Sequence, residues 1–242
     1  MSGKVALITG ANKGIGLETG RQLGRQGIHI IIGSRDAARG AAAAQKLQKE
    51  GISAESVKLD VTSAEDIAAA VRQVESKHGK LDILVNNAGV FCEDFGKKPS
   101  EQSLEAWRKS FETNLFAVVA VTQAFLPLLK KAPAARIVNV SSQLGSLGWH
   151  SDPTSPIYDF KIPAYSASKT AVTAYTVQLA YEFRKTPIKV NAVHPGYVKT
   201  DMGGAGATME IEDGARSSVE MALLDDNGPT GGFFHMGQPL PW

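Results

Sequence analysis

The sequence predicts an α/β fold in which a doubly wound, parallel, seven-stranded sheet carries helices on both faces. Three observations predict it. Short runs of apolar, β-branched residues recur along the chain, and segments of helix-forming composition fill the intervals. The runs are continuously apolar, as expected of parallel strands covered on both faces. No repeat, linker or low-complexity tract divides the 242 residues, so one domain over 1–242 accounts for them.

Taken in order, Val5–Ile8 is the first strand and leads into a helix over about 14–26, with Gly27 just past its end. Ile28–Ile32 is the second strand. Ala37–Glu50 is rich in Ala, Gln, Lys and Leu, which favours a helix. Asp36 is placed to cap that helix, and Gly51 to end it. Ser56–Leu59, with Val61 close by, forms the third strand. A helix over about 63–78 follows, capped by Thr62 or Ser63 and ended by Gly79. Leu81–Val85 is the fourth strand, and a long helix over about 101–130 separates it from the fifth, Arg136–Val140. A helix over about 163–185, the strand Ile188–Val193, a helix over about 212–223 and a seventh strand over Gly232–Met236 complete the chain.

Composition removes several function classes. The net charge is +2 and the basic residues are dispersed, which argues against a nucleic-acid partner. No apolar stretch reads as long enough to span a membrane. The first strand begins within a few residues of the N-terminus and leaves no room for a signal peptide, so the expected compartment is the cytosol. Cys92 stands alone, excluding an internal disulfide and a cysteine-based metal site. The five histidines lack zinc-ligand spacing, and no metal is expected.

The richest motif is Thr9-Gly10-Ala11-Asn12-Lys13-Gly14-Ile15-Gly16, lying between the first strand and the first helix. Such a junction offers backbone N–H groups and a positive helix end to a phosphate, while glycine permits close approach of a pyrophosphate. This makes the expected sheet Rossmann-type, with a dinucleotide at the carboxyl ends of its strands. The spacing is G-x-x-x-G-x-G and lacks the G-K-[ST] ending of a nucleoside-triphosphate loop. Other strand ends suit the same ligand. Asp60 beside Val61 offers a carboxylate and an apolar wall to an adenine, although a turn role explains Asp60 equally. Asn86-Asn87-Ala88-Gly89 suits backbone interlocking and close approach to a ribose, although a plain turn also fits.

The second strand bears on the phosphate. Asp36 lies about twenty residues beyond the glycine loop, where an NAD-selective carboxylate is found. The strand is expected to run out at Ile32-Gly33, however, so Ser34 and Arg35 reach the ribose first and Asp36 fits a cap. Arg35, Lys13 and Arg39 then converge on a 2′-phosphate, which favours NADP(H).

Chemistry is concentrated in Tyr165-Ser166-Ala167-Ser168-Lys169. Tyr and Lys four apart share a helical face. An ammonium beside a phenol favours phenolate and is expected to lower its pKa. Such pairs also occur as plain surface neighbours. Ser142 stands at the end of the fifth strand, where a hydroxyl can bond a substrate carbonyl oxygen. Asn114 lies in the long helix, as a site residue or as a buried amide bonded to local backbone.

With these motifs in order, the sequence resembles the compact, single-domain branch of the short-chain dehydrogenase/reductases. The match runs along almost the whole chain: Thr9-Gly10-x-x-x-Gly14-Ile15-Gly16, Asp60-Val61, Asn86-Asn87-Ala88-Gly89, Asn114, Ser142, Tyr165-x-x-x-Lys169 and Pro195-Gly196-x-x-x-Thr200. Within the family, its glycine loop, its Ser34-Arg35-Asp36 segment and its Pro195–Met202 segment are most similar to the NADPH-dependent carbonyl reductases. The resemblance implies hydride transfer from NADPH to a small-molecule ketone or aldehyde. Tyr165 would give the proton, Ser142 orient the oxygen, and Lys169 tune Tyr165 and bind the nicotinamide ribose. Asn114 would hold a water leading from Lys169 to solvent. Pro195, Gly196 and Thr200 would flank the nicotinamide, with Val198 near its carboxamide. Two other readings on this scaffold are an NAD-linked hydroxysteroid or secondary-alcohol dehydrogenase and a dinucleotide sensor without turnover.

Two segments depart from the family. Ser142 and Tyr165 are separated by 22 residues, more than the compact branch usually has. The extra segment, about 146–163, carries Trp149, Tyr158 and Phe160, which either wall a substrate pocket or anchor the loop. A larger insertion at this place obstructs helix-mediated assembly in some carbonyl reductases, so a monomer or dimer is expected rather than the usual tetramer. The segment of about 201–213 corresponds to the substrate lid. It is short and glycine-rich, which reads as a flexible lid over an open pocket.

Overall fold

The computed structural model describes residues 3–242. Its eight strands are β1 (Val5–Thr9), β2 (His29–Ser34), β3 (Ala54–Lys58), β4 (Ile83–Asn86), β5 (Arg136–Val140), β6 (Lys189–Val193), β7 (Phe233–His235) and β8 (Gln238–Pro239). They lie in the order β3-β2-β1-β4-β5-β6-β7-β8. The first seven pair in parallel, with Leu7 opposite both Ile31 and Leu84. The eighth pairs antiparallel with β7. The expected fold class therefore stands, and the seven-strand count gains a two-residue edge strand.

The helices are α1 (Gly14–Arg25), α2 (Ala37–Lys49), α3 (Ala64–His78), α4 (Leu104–Phe111), α5 (Ala117–Lys130), α6 (Leu147–Ser151), α7 (Pro163–Glu182) and α8 (Ile211–Ala222). Local chemistry explains their ends. Asp36 accepts from Arg39 N at 3.0 Å, and Ser63, not Thr62, accepts from Asp66 N at 3.2 Å. The expected single helix over 101–130 starts later, where Ser103 accepts from Ala106 N, and a π-turn at Glu112–Phe116 interrupts it.

Apolar residues fill both faces of the sheet. One cluster packs α3, α5 and α7 against Leu7, Ile31 and Leu84, through Val74, Phe125 and Leu179 among others. The other packs α1, α2 and α8 against Ile8, Ile30 and Val85, through Leu23, Leu47 and Met221. The run Leu104–Lys130 corrects one expectation: by length and composition it is apolar enough to cross a membrane, with a mean hydropathy of 1.4 over an 18-residue stretch. Val118, Val121, Phe125, Leu128 and Leu129 spend that apolarity in the core. Strand order reverses between β1 and β4, so the loops after these two strands diverge and open a crevice at their carboxyl ends.

Candidate active site

The loop after β1 closes against the end of β2 through Ala11 N to Gly33 O at 3.1 Å. The loop after β4 is tied to it from the other side. Asn87 Nδ2 donates to Thr9 O at 2.8 Å, and the N–H groups of Asn87 and Ala88 both donate to Thr9 Oγ1 at 3.0 Å. Asn86 points into the core, donating to Thr122 Oγ1 and Asn139 Oδ1. Of the tandem amides, Asn87 therefore ties the two loops together, and Asn86 anchors the end of β4 in the core.

This crevice fits a dinucleotide. Lys13 at the N-cap of α1 supplies no side-chain cap, and no acidic residue occupies the first turn, so the positive end of the helix faces the loop. Gly14 holds φ 58°, and a Cβ at Gly16 would come 2.5 Å from Asn87 Nδ2. Ile15 and, across the crevice, Pro195, Gly196, Val198 and Thr200 line the adjoining cavity.

Several expected cofactor contacts are placed differently. Strand β2 runs on to Ser34, whose side chain is buried and donates to Asp36 O at 2.8 Å. Ser34 is thus a turn residue, a correction to its expected place on the ribose, and Arg35 is the first exposed side chain beyond the strand. Lys13 forms an ion pair with Asp201, and Arg39 Nε lies 3.6 Å from Asp36 Oδ2. Among the described residues Arg35 makes no ion pair. Asp60 Oδ1 accepts from Thr62 N and Thr62 Oγ1, the turn role, while Val61 packs in the core.

The polar cluster gathers around the N-terminal part of α7. Ser142 and Tyr165 line the same cavity, where the Ser142 hydroxyl acts on the phenol, and Ser142 Oγ accepts from Leu144 N at 3.2 Å. Lys169 is buried, donates to Val140 O at 2.8 Å, and lies 5.7 Å from the centre of the Tyr165 ring. Asn114 sits on the π-turn. Its Oδ1 accepts from Val90 N, and its Nδ2 donates to Val90 O and Ser168 Oγ. The amide is thereby spent on the β4–α4 loop and on α7.

The pKa expectation for Tyr165 is reversed. Enclosure by protein pushes the phenol up to about 12, a larger effect than the hydrogen bond from Ser142 that pulls it down. Burial also pushes the Lys169 ammonium down to about 8. The tyrosine is held as a neutral phenol, a proton donor.

Ser142 and Tyr165 face a cavity of about 430 Å³, walled by Phe91, Phe95, Ile157, Phe160, Tyr197 and Met202. Of the three aromatic residues singled out in 146–163, only Phe160 is in this wall. Trp149 lies on α6, and Tyr158 packs under Lys161, whose Nζ is 4.8 Å from its ring. The lid segment of about 201–213 meets the loop after β6 at several points. Met209 N donates to Tyr197 O and Lys199 N to Met209 O, both at 2.9 Å, and a Cβ at Gly203 would overlap Val198 O. Gly203 thus serves close packing against Val198.

The family model for short chain dehydrogenases matches residues 4–210. The chain belongs to the short-chain dehydrogenase family. It is 34% identical to short-chain dehydrogenase/reductase 1 of Saponaria officinalis, over 99% of this chain and 96% of that one. It is also 34% identical to carbonyl reductase (NADPH) 1 of Mus musculus, over 98% of each chain. The crystal structure of an NADPH-bound carbonyl reductase from chicken fatty liver superposes with a TM-score of 0.86, at 29% identity and over 99% of both chains.

Two residues of this dehydrogenase's site escaped the sequence reading. Helix α7 has no side-chain cap of its own at Ile162. The buried carboxylate of Glu93, from the loop after β4, takes that place, accepting from Ala164 N at 2.9 Å and Tyr165 N at 2.6 Å. Glu93 thus holds the backbone of the tyrosine itself. Glu93→Ala is expected to cost about 1–3 kcal/mol of stability and to lower turnover, as read by Tm and kcat. A variant with unchanged Tm and kcat would show that the carboxylate holds nothing.

His194, just past the end of β6, lines the cavity, and its Nδ1 is buried without a partner among the described residues. Burial, with His235 beside it at 4.9 Å between ring centres, pushes its pKa down to about 3. An unfolded histidine takes up a proton near pH 6.5, whereas the folded one does so only near 3. Stability contributed by the neutral ring is therefore full above about 6.5 and lost as the pH falls toward 3. At ~1.4 kcal/mol per unit this amounts to several kcal/mol. Urea unfolding at pH 7 and 4.5 should show His194→Gln losing less stability in acid than the parent, and an equal loss would contradict this.

Proposed function

We propose that this enzyme reduces a ketone or aldehyde carbonyl to an alcohol, with NADPH as its cofactor. The observation that carries the reading is the Ser142–Tyr165–Lys169 cluster, facing an apolar cavity beside the uncapped, basic N-terminus of α1. Bound in the crevice, NADPH would supply a hydride to the carbonyl carbon. The glycine-loop amides, from Gly10 to Gly16 with Asn12 among them, would hold the pyrophosphate. Arg35, Lys13 and Arg39 would face the 2′-phosphate, and Asn87, Ala88 and Gly89 a ribose. Asp60 would meet the adenine, while Pro195, Gly196, Val198 and Thr200 flank the nicotinamide.

Ser142 orients the substrate oxygen, and Tyr165 gives that oxygen its proton as negative charge develops there. A phenol pushed up to about 12 is protonated throughout the neutral range, as the reductive direction requires. Lys169 stabilises the phenolate left behind and would bind the nicotinamide ribose. Because the Asn114 amide is already committed, a water leading from Lys169 to solvent would rest on backbone opened by the π-turn. The aromatic walls suit a bulky, apolar carbonyl compound. Support also comes from the mouse and chicken proteins, both named as carbonyl reductases. The expected oligomeric state is monomer or dimer, which light scattering checks.

A panel of ketones, aldehydes and α,β-unsaturated carbonyls, followed by NADPH oxidation and chiral analysis, tests the reading. Oxidation with bulky apolar carbonyls and an enantiomerically enriched alcohol are expected. Silence across the panel would instead favour a dinucleotide-binding protein without turnover.

A further inference from the structure

We propose that His29, Glu55 and His78 form a binding site for a divalent transition-metal ion of the zinc class, at the end of the sheet opposite the active site. The three come from different elements. His29 begins β2, Glu55 lies on the neighbouring β3, and His78 ends α3. Register places Glu55 opposite Ile31, so its side chain emerges on the same face as Ile31 and His29, the face that α3 covers. Sequence spacing conceals the convergence because only the β2–β3–α3 packing creates it.

The donor geometry suits a metal. One ligand atom from each residue lies within 4.8 Å of the other two. His78 Nε2 is 2.8 Å from Glu55 Oε1, and His29 Nε2 is 4.0 Å from the same oxygen. Zinc bonds of about 2.0–2.2 Å place tetrahedral donors roughly 3.3–3.6 Å apart, between these two spacings. Small side-chain rotations therefore reach it. Two imidazoles and a carboxylate form a zinc donor set that leaves a fourth position for water.

The surroundings are those of a ligating histidine. His29 Nδ1 is fixed by Ser53 Oγ at 2.7 Å, which aims Nε2 at the cluster. That Nε2 is buried and has no hydrogen-bond partner among the described residues. Lys77 pairs with Glu55 through Oε2 and leaves Oε1 to the metal. A bound ion would tie β2, β3 and α3 together at the sheet edge.

The test is titration of Zn2+ into tag-free, chelator-stripped protein in competition with a chromophoric chelator, with Co2+ as a spectroscopic probe. One Zn2+ per chain, tetrahedral Co2+ bands and a Tm rise of roughly 5–10 °C at about a hundred times Kd are expected. His78→Gln and Glu55→Gln should each weaken binding at least tenfold and remove the Co2+ bands, with the circular dichroism of the parent. His29→Gln is a third variant, and Lys77→Ala should tighten binding. Absence of saturable binding by the parent, or undiminished binding by His78→Gln and Glu55→Gln, overturns the site.

Discussion

Tyr165→Phe is expected to lower kcat for carbonyl reduction by about 10²–10⁴-fold, the usual contribution of a positioned general acid. NADPH binding should persist. The substitution removes one oxygen, and the ring remains in the wall shared with Phe91, 5.8 Å away between centres. Lys169 keeps its bond to Val140 O, and Ser142 its bond from Leu144 N. Only the group that delivers the proton is gone, so the loss should fall on kcat rather than on cofactor affinity. Fluorescence titration with NADPH beside steady-state kinetics separates the two. Near-parental turnover would place the proton donor elsewhere, and lost NADPH binding would give the hydroxyl a different role.

The second large effect concerns the cofactor. Charge-assisted contacts to a phosphate contribute ~1.5–3 kcal/mol each, which is about 10–150-fold in affinity. Arg35 is exposed and unpaired among the described residues, so solvent screening places it near the lower end. Arg35→Leu should therefore lower the ratio of kcat/KM for NADPH over NADH about tenfold, mainly through KM for NADPH. Lys13→Met should act in the same direction but less, because Asp201 already engages that ammonium. A parent enzyme that prefers NADH would overturn the reading of these cations and favour the NAD-linked alternative.

Much of this architecture was legible in the sequence because parallel strands buried on both faces must be apolar along their length. The Arg136–Val140 run became β5 with the bounds expected of it. Capping chemistry is equally local, so Asp36 and Gly79 marked their helix ends directly. The edge strand β8 was hidden. Its hairpin turns through Met236 and Gly237, both with positive φ, and methionine does not advertise that conformation. The π-turn at Asn114 leaves the helical periodicity of 104–130 intact and so carries no local signature.

The polar centre of the site was legible because its residues sit at strand ends or four apart on a helix. Its electrostatics were not. The phenol's pKa is decided by how closely protein packs around it, and that outweighs the lysine read from spacing. Glu93 acts on backbone N–H groups 71 and 72 positions away, a contact that only the β4–α4 loop creates. Ser34 was misplaced because β2 runs beyond Ile32 and turns that side chain inward.

The central claim is that hydride passes to a carbonyl carbon while Tyr165 supplies the proton. Reduction of a bulky ketone with NADPH deuterated at the transferring C4 position tests it most directly, with the product read by mass spectrometry and NMR. The expected alcohol carries one deuterium, on the carbinol carbon, and its hydroxyl proton comes from water. Deuterium on any other carbon, or an alcohol without deuterium, would contradict the account.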